Sequence, residues 1–496
     1  MSETAPLRLF NSLTRATEAF APLEGNHARV YSCGPTVYNY AHLGNLRAYV
    51  FTDTLRRALL WKGHDVTHII NITDVGHLTS DADIGDDKME AAARASAQSI
   101  WDIAAHYTAA FKDNIAALNI LEPSKWSVAT DHIAQMIAFA EKIAPAHCYE
   151  LDTGLYFDSS TVPDYGKLAG SQEDTREGRI EAVEGKRHPQ DFAIWRKSPP
   201  GEQRQMEWDS PWGRGAPGWH LECSVMSLQY LGAPFDIHTG GIDHREIHHP
   251  NEIAQNQAWC GCTDLEPGFT GAKWWMHNNF LVDRTGKMSK SKGEFLILRT
   301  VVDRGIHPLA YRLMCLSAHY RSELEFSWDN LAATLTRLKR LVMTIDALKA
   351  RADGITWQSP DLDFLRSNLH PSLEPYLAAF DAALVDDLNI PKALPILDEV
   401  LALKKTPVDE RLCLAMAFDH ALGLDLMTLT RADLRLAPKD AAITVEEIEA
   451  ELDRRKAARA DKDFVTSDAI RDALAARGVE VMDGDPLRWE WAIRLD

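Results

Sequence analysis

Between residues 28 and 75 the chain passes from one short apolar run, through a helical repeat, to a second apolar run. That spacing constrains the fold more than any other feature. ARVYSC (28–33) reads as a buried strand that ends at Gly34-Pro35. Phe51, Leu55, Ala58 and Leu59 then recur at helical intervals, and Gly63 stands where such a helix should stop. VTHIINITDV (66–75) alternates apolar and polar residues as a strand does. Strand, helix and strand in so short a span form a βαβ unit, whose two strands pair in parallel. Parallel sheets are covered by helices on both faces, so the expected fold class is α/β.

The rest of the chain divides around that unit. Residues 84–118 read as helix. From about 145 to 205, short strand-like pieces (GLYFDSS, DFAIWR) lie among Gly, Pro and charged residues, and read as an insertion bounded at about 121–205. Helix and strand alternate again at 218–240 (WHLECSVMSLQYL, then FDIHTGG). From 331 the pattern changes: Leu331, Leu335, Leu338, Val342 and Ile345 form a helical stripe, and helical patterns continue to about 427. The expected organisation is a parallel-sheet domain over 1–330, with a lysine-rich loop region at about 276–330. An α-helical bundle over 331–430 and a small C-terminal module over 440–496 follow. A chain of 496 residues accommodates three such units.

Charge and cysteine usage exclude several classes. Fifty-three basic against 72 acidic side chains leave a net charge of −19, so the chain does not grip nucleic acid by being basic overall. A local basic face remains open. No apolar run reaches the roughly 20 residues of a membrane span, so no membrane association is expected. MSETAPLRLF lacks the basic start and apolar core of a secretory signal. Seven thinly spread cysteines fit a reducing cytoplasm, with thiols free or metal-bound.

Three groups of residues could carry chemistry. The first is the segment from Cys33 to Asn45, which includes His42, Leu43 and Gly44 in the turn between the first strand and its helix. Ligands of open parallel sheets bind at the carboxyl ends of the strands. A His at a helix start can bind a developing phosphate charge, or simply begin the helix. The second is Gly286-Lys287-Met288-Ser289-Lys290-Ser291-Lys292-Gly293. Its lysines can neutralise a triphosphate and a leaving pyrophosphate, or form a solvated basic loop. The third is Cys33, Cys223, His248 and Glu252. The last two are four residues apart in HHPNEIAQNQA, and so share one helix face. Two thiolates, an imidazole and a carboxylate suit zinc, although isolated cysteines are usually small buried apolar residues. Farther on, Arg337, Lys339, Arg340, Lys349 and Arg351, then Arg454, Arg455, Lys456, Arg459 and Lys462, form two basic clusters. With Trp489 and Trp491 they could hold an RNA backbone and stack its bases, or be solvated faces.

HLGN and KMSKS, some 240 residues apart and in this order, resemble the paired motifs of class I aminoacyl-tRNA synthetases. YSCGPTVYNYAHLGN, WDSPWGRGAPGWHLECSVMS, DIHTGG followed by HHPNEIAQNQA, WWMHNNFLVDRTGKMSKS and HYRSELEFS resemble the cysteinyl-tRNA synthetase family through most of the chain. The sequence departs from that family's pattern at Pro250, at Asn279 and at 244–247. The resemblance implies a Rossmann-like catalytic domain with an inserted subdomain, then an anticodon-side helical bundle and a small tRNA-binding module. It implies a zinc ion on Cys33, Cys223, His248 and Glu252. His248 is taken over His249 or His244 for its four-residue step to Glu252. Catalysis falls to His42, Asn45, Lys287 and Lys290, with Gly44 and Trp275 also at ATP. Thr73, Trp219, His238 and Asp243 lie around the amino acid. The expected substrates are L-cysteine, ATP with Mg2+, and tRNA(Cys), handled by a cytoplasmic monomer. Zinc suits the task, because size alone separates cysteine poorly from serine, whereas a thiolate binds zinc far better than a hydroxyl. The substrate sulfur would enter as a fifth ligand, with Glu252 the most easily loosened.

Two rivals remain. A ligase joining cysteine to an amino-sugar inositol would share the nucleotide and zinc motifs but lack the roughly 165 residues beyond 330. A non-catalytic RNA-binding relative would have lost phosphate or metal residues that are present here.

Overall fold

The computed structural model describes residues 5–75, 99–162, 164–170, 184–199, 201, 204–261, 269–283, 286–287, 296–352, 365 and 367–493. An N-terminal hairpin (β1, Arg8–Asn11; β2, Ala16–Ala19) precedes the expected βαβ unit, which forms as β3 (His27–Ser32), α1 (Leu43–Trp61) and β4 (Asp65–Ile72). α2 (Ile100–Ala117) leads to β5 (Lys125–Val128) and α3 (Ile133–His147). Residues 84–98 of the expected helix lie outside the described residues. β6 (Cys148–Leu151), β7 (Gly154–Phe157), β8 (Phe192–Lys197) and β9 (Gly215–Pro217) make a separate antiparallel sheet. The chain returns through α4 (Trp219–Leu231), β10 (Phe235–Gly241), α5 (His248–Cys260) and β11 (Ala272–Asn278).

Among the described residues the central sheet has five strands, all parallel, in the order β11-β10-β3-β4-β5. Chain direction across the sheet reverses between β3 and β10, which opens a crevice at their carboxyl ends. Lys125–Val128 belongs to this sheet, so the insertion begins after it, later than the expected 121, and its own sheet extends to Pro217, past the expected 205. Only the pairing of Ile69–Ile72 with Lys125–Val128 decides this, since a four-residue strand has too little pattern to be assigned by itself.

Beyond the sheet lie β12 (Leu281–Asp283), β13 (Gly286–Lys287), α6 (Leu298–Asp303), α7 (Pro308–Leu316) and β14 (Leu324–Glu325). The helical part follows as α8 (Trp328–Lys349), α9 (Glu374–Val385), α10 (Ile390–Ala402) and α11 (Val408–Leu422). Ser327 caps α8, and its stripe of Leu331, Leu335, Leu338, Leu341, Val342, Ile345 and Leu348 is buried. α12 (Val445–Ala460), α13 (Phe464–Ala476), β15 (Val479–Val481) and β16 (Trp489–Trp491) close the described chain. No described helix is long and apolar enough to cross a membrane.

The apolar core runs without a break from Leu7 through α1 and α7 into Leu331–Leu434. A buried ionic cage seals the junction. Asp53 accepts hydrogen bonds from Arg57 Nε (2.7 Å) and Arg312 (2.5 Å). The same guanidinium groups donate to the last carbonyls of α11, Arg57 to His420 (2.7 Å) and Arg312 to Leu422 (2.8 Å). Burial alone would raise the Asp53 carboxyl; the two arginines hold it below the usual range. Residues 443–491 have a core of their own, built on Ile448, Leu452, Leu474, Trp489 and Trp491.

Candidate active site and metal centre

A cavity of about 420 Å³ opens at the carboxyl ends of β3, β4 and β10. Two close approaches shape it. A side chain on Gly34 would put its Cβ 1.5 Å from the Asn71 carbonyl oxygen, so only glycine lets the chain turn there and present Cys33. A Cβ on Gly44 would meet the His42 ring at 3.0 Å. His42 caps α1: its Nδ1 accepts from the Asn45 N–H (3.1 Å), and Asn45 Oδ1 accepts from the His42 N–H (3.2 Å). His42 is thus a helix-start residue and a cavity residue at once. With Nδ1 accepting, the neutral ring carries its proton on Nε2, where a phosphate-binding donor needs it.

The floor of the cavity holds the donor cluster. Ligand atoms of Cys33, Cys223, His248 and Glu252 lie within 4.8 Å of one another. Each of the last two has one atom fixed by a neighbour. His248 Nδ1 pairs with His220 Nδ1 (2.8 Å), and Glu252 Oε2 pairs with His238 Nε2 (2.9 Å). That leaves His248 Nε2 and Glu252 Oε1 facing each other at 3.1 Å, and Glu252 Oε1 has no hydrogen-bond donor although it is buried. With His248 Nδ1 donating to His220, Nε2 is an acceptor like Glu252 Oε1, and two acceptors aimed at one point beside two thiols fit a soft divalent cation. Enclosure pushes the Cys33 thiol well above its ordinary range. Cys223 is lowered by its hydrogen bond to Cys33 but raised more by burial and Glu252. Burial also raises Glu252, against the pull of His238. A bound cation would reverse these tendencies by supplying the missing positive charge.

A second, overlapping set, Cys33, His238, His249 and Glu252, satisfies the same distance. His249 Nε2 lies 3.4 Å from Cys33 Sγ, while its Nδ1 pairs with His277 (2.8 Å). Cys33, Cys223 and His248 line the cavity; His238 and His249 lie behind it. Only the first set holds two sulfurs, and three of its four residues line the cavity, against one of four in the second.

Thr73, Trp219 and Asp243 line the same cavity. Thr73 Oγ1 accepts from Asn71 Nδ2 (2.9 Å) and donates to Glu222 (3.0 Å), and Trp219 lies 4.4 Å from the His248 ring. Trp275, expected at ATP, is wholly buried and is not among the residues that line the cavity: its Nε1 donates to the Ala272 carbonyl and its ring stacks on His238. His238 is likewise held at Glu252 and away from the cavity. Lys287 ends β13, and Lys290 lies outside the described residues. Sequence reasoning missed His220 and Asn71. His220 stands three residues before Cys223 on α4, a spacing that could have flagged it.

The basic clusters are mostly committed elsewhere. Arg337 pairs with Asp398, Lys339 with Glu490, and Arg455 with Asp483, while Lys349 donates to the Met427 carbonyl. Trp489 and Trp491 are buried in the module's core and cannot stack RNA bases; the exposed aromatic of that module is Phe464.

Asp74, next to Thr73, gives a pH test. Burial pushes its carboxyl up to about 6, despite hydrogen bonds from the Thr130 N–H and hydroxyl. A raised folded-state pKa favours the neutral acid. Its stability contribution is complete below the unfolded value near 3.8 and is lost as pH rises through about 6. Asp74→Asn, which can keep both Thr130 contacts, should melt higher than the parent at pH 8, by at most about 3 kcal/mol. The gap should close toward pH 4. An equal gap at both pH values in thermal melts would refute the assignment.

A family model described as "tRNA synthetases class I (C) catalytic domain" matches residues 19–336. A cysteine–tRNA ligase of Novosphingobium aromaticivorans is 64% identical over 491 residues, covering 99% of this chain and 98% of that protein. One from Zymomonas mobilis is 57% identical over 98% of each. Among solved structures, Mycobacterium tuberculosis methionyl-tRNA synthetase in complex with methionyl-adenylate aligns with a TM-score of 0.52 at 12% identity, covering 81% of this chain and 91% of that one. At that identity the likeness is one of fold.

Proposed function

The chain belongs to the cysteine–tRNA ligases, a class I aminoacyl-tRNA synthetase family, and on that premise we propose how its residues divide the work. Cys33, Cys223, His248 and Glu252 would hold one zinc ion, which when bound supplies a seat for the cysteine thiolate that serine cannot use. The observation that carries this is the convergence of the four ligand atoms within 4.8 Å of one another, with Cys33, Cys223 and His248 lining the cavity and Glu252 directly behind them. Thr73, Trp219 and Asp243 orient the amino and carboxyl groups above it.

The cysteine carboxylate attacks the α-phosphorus of ATP. A C–O–P bond forms, the bond to pyrophosphate breaks, and cysteinyl-adenylate results. His42 Nε2–H, Asn45 and the positive end of α1 bind the phosphates. Lys287 and Lys290 neutralise the departing pyrophosphate, and Mg2+ accompanies ATP. A hydroxyl of the terminal ribose of tRNA(Cys) then attacks the carbonyl and releases AMP. Positioning and charge do most of the catalytic work. The bundle and terminal module would bind the tRNA, with Phe464 the exposed ring for an unpaired base. The protein would act as a cytoplasmic monomer.

The test is cysteine-dependent ATP–pyrophosphate exchange, charging of tRNA(Cys) and metal analysis on one preparation. About one zinc per chain and both activities are expected. Lys290→Ala should slow exchange by about 3 kcal/mol of barrier, with cysteine affinity unchanged. Unaltered exchange would make that loop a solvated turn. Transfer of cysteine to an amino-sugar inositol without tRNA charging would select the small-molecule ligase.

A further inference from the structure

The turn between α9 and α10 is built around one buried carboxylate, Asp387. Asp387 and Leu388 both have left-handed backbone, with φ of +55° and +56°. Consecutive non-glycine residues adopt that geometry only where surrounding contacts force it. Those contacts all reach into the catalytic half. Asp387 Oδ1 accepts from the Phe10 N–H (2.8 Å) and the Tyr320 hydroxyl (2.6 Å). Its Oδ2 accepts from Arg321 Nε (2.7 Å), its N–H donates to the Arg8 carbonyl (3.0 Å), and its carbonyl pairs with His319 Nε2 (2.9 Å).

Segment 319–322 passes this anchorage to the cavity wall. The Tyr320 carbonyl accepts from the Asn279 N–H (2.8 Å), and the Arg321 carbonyl accepts from Asn279 Nδ2 (3.0 Å). Arg47 of α1 ties both segments together, donating to the carbonyls of Asn279 (2.9 Å), Phe280 and Ser322 (2.6 Å). Tyr320 stacks on Phe51 of the same helix at 4.4 Å. Asn279 and Leu281 line the cavity, Leu281 lies against Gly44, and β12 continues through its pairing with β13 to Lys287. The metal cluster hangs on β3, α4 and α5, which this chain of contacts does not include.

We infer that Asp387 is a positioning residue for the nucleotide-facing wall: from the helical bundle, it sets where Asn279–Asp283 sit opposite His42 and Gly44. This rests on the ATP-dependent reading above. It gives the bundle a direct mechanical hold on the ATP side of the site, separate from the cysteine side.

The experiment measures ATP and cysteine kinetics of exchange, zinc content and melting temperature for the parent, Asp387→Ala, Asp387→Asn and Tyr320→Phe. Asp387→Ala should lower kcat/KM for ATP at least tenfold, with cysteine KM within twofold and zinc retained. Asp387→Asn should recover activity to within threefold, because its oxygen still accepts from Phe10 and Tyr320 and asparagine tolerates left-handed backbone. Tyr320→Phe, which keeps the ring stack, should lower ATP kcat/KM about threefold, and decides the matter if Asp387→Ala does not fold. Parental ATP kinetics in a folded Asp387→Ala, or in Tyr320→Phe, would overturn the proposal. So would cysteine KM and zinc content shifting as far as the ATP parameters. Absence of exchange in the parent would instead refute the functional reading itself.

Discussion

Replacing Cys223 by serine should strip the metal and with it most cysteine activation, while ATP binding survives. Cys223 is buried at the cavity floor, and a hydroxyl is a far weaker zinc ligand than a thiolate. Cys33, His248 and Glu252 would remain, with Glu252 Oε1 and the His248 ring facing one another without a cation to share. Zinc should fall from about one per chain to near zero. kcat/KM for cysteine should drop by more than about a hundredfold, since partners one step removed from such metals already account for 10–100-fold. KM for ATP should stay within about threefold, because His42, Gly44 and Asn45 belong to α1 and its cap rather than to the metal floor. Full zinc content with a parental cysteine KM would remove Cys223 from the site.

The second large effect separates two truncations. A chain ending near 330, where strand patterns give way to helical ones, would have to fold without the bundle before it could show cysteine-dependent pyrophosphate exchange. The core says that it will not fold. Leu331–Leu434 pack into the same apolar mass as α1 and α7, and Arg57 and Arg312 would lose the carbonyls of His420 and Leu422. Each core side chain left bare costs about 1.5–3 kcal/mol, against a whole-protein stability of roughly 5–15 kcal/mol. A chain ending at residue 440 should behave differently. The module beyond it has its own core and is docked largely by polar contacts: Arg431 to Asp485 and Glu490, Lys339 to Glu490, and Arg435 over the Trp489 ring at 3.9 Å. Those cations can return to water at little loss. The shorter chain should keep exchange within about threefold and lose tRNA charging chiefly through a raised tRNA KM, since RNA-holding contacts bind ground and transition states alike. Soluble, active 1–330 would restore the boundary at 330. Parental charging by 1–440 would deny the module its RNA role.

The amino-acid sequence by itself determined the elements whose signal is local. The βαβ unit, the α8 stripe, the helix starting at His248 and the cap at His42 each follow from periodicity, glycine placement or an i to i+4 step, and each forms as read. The candidate metal donors Cys33, Cys223, His248 and Glu252 were implied by the family resemblance, since nothing in their spacing joined Cys33 to Cys223; the fold brings their ligand atoms within 4.8 Å of one another. Tertiary structure alone decided what depends on distant partners. It placed Lys125–Val128 in the central sheet, since a short strand is defined by its neighbour. It turned Trp275, Trp489 and Trp491 inward, since an aromatic ring packs a core as readily as it meets a ligand. It paired His248 with His220, and brought Arg312 of α7 onto Asp53, whose other partner, Arg57, is a local i to i+4 step on α1. It also fused the bundle to the catalytic half through one core. A buried charge or ring has a large energy only in company, and the sequence names the residue without naming the company.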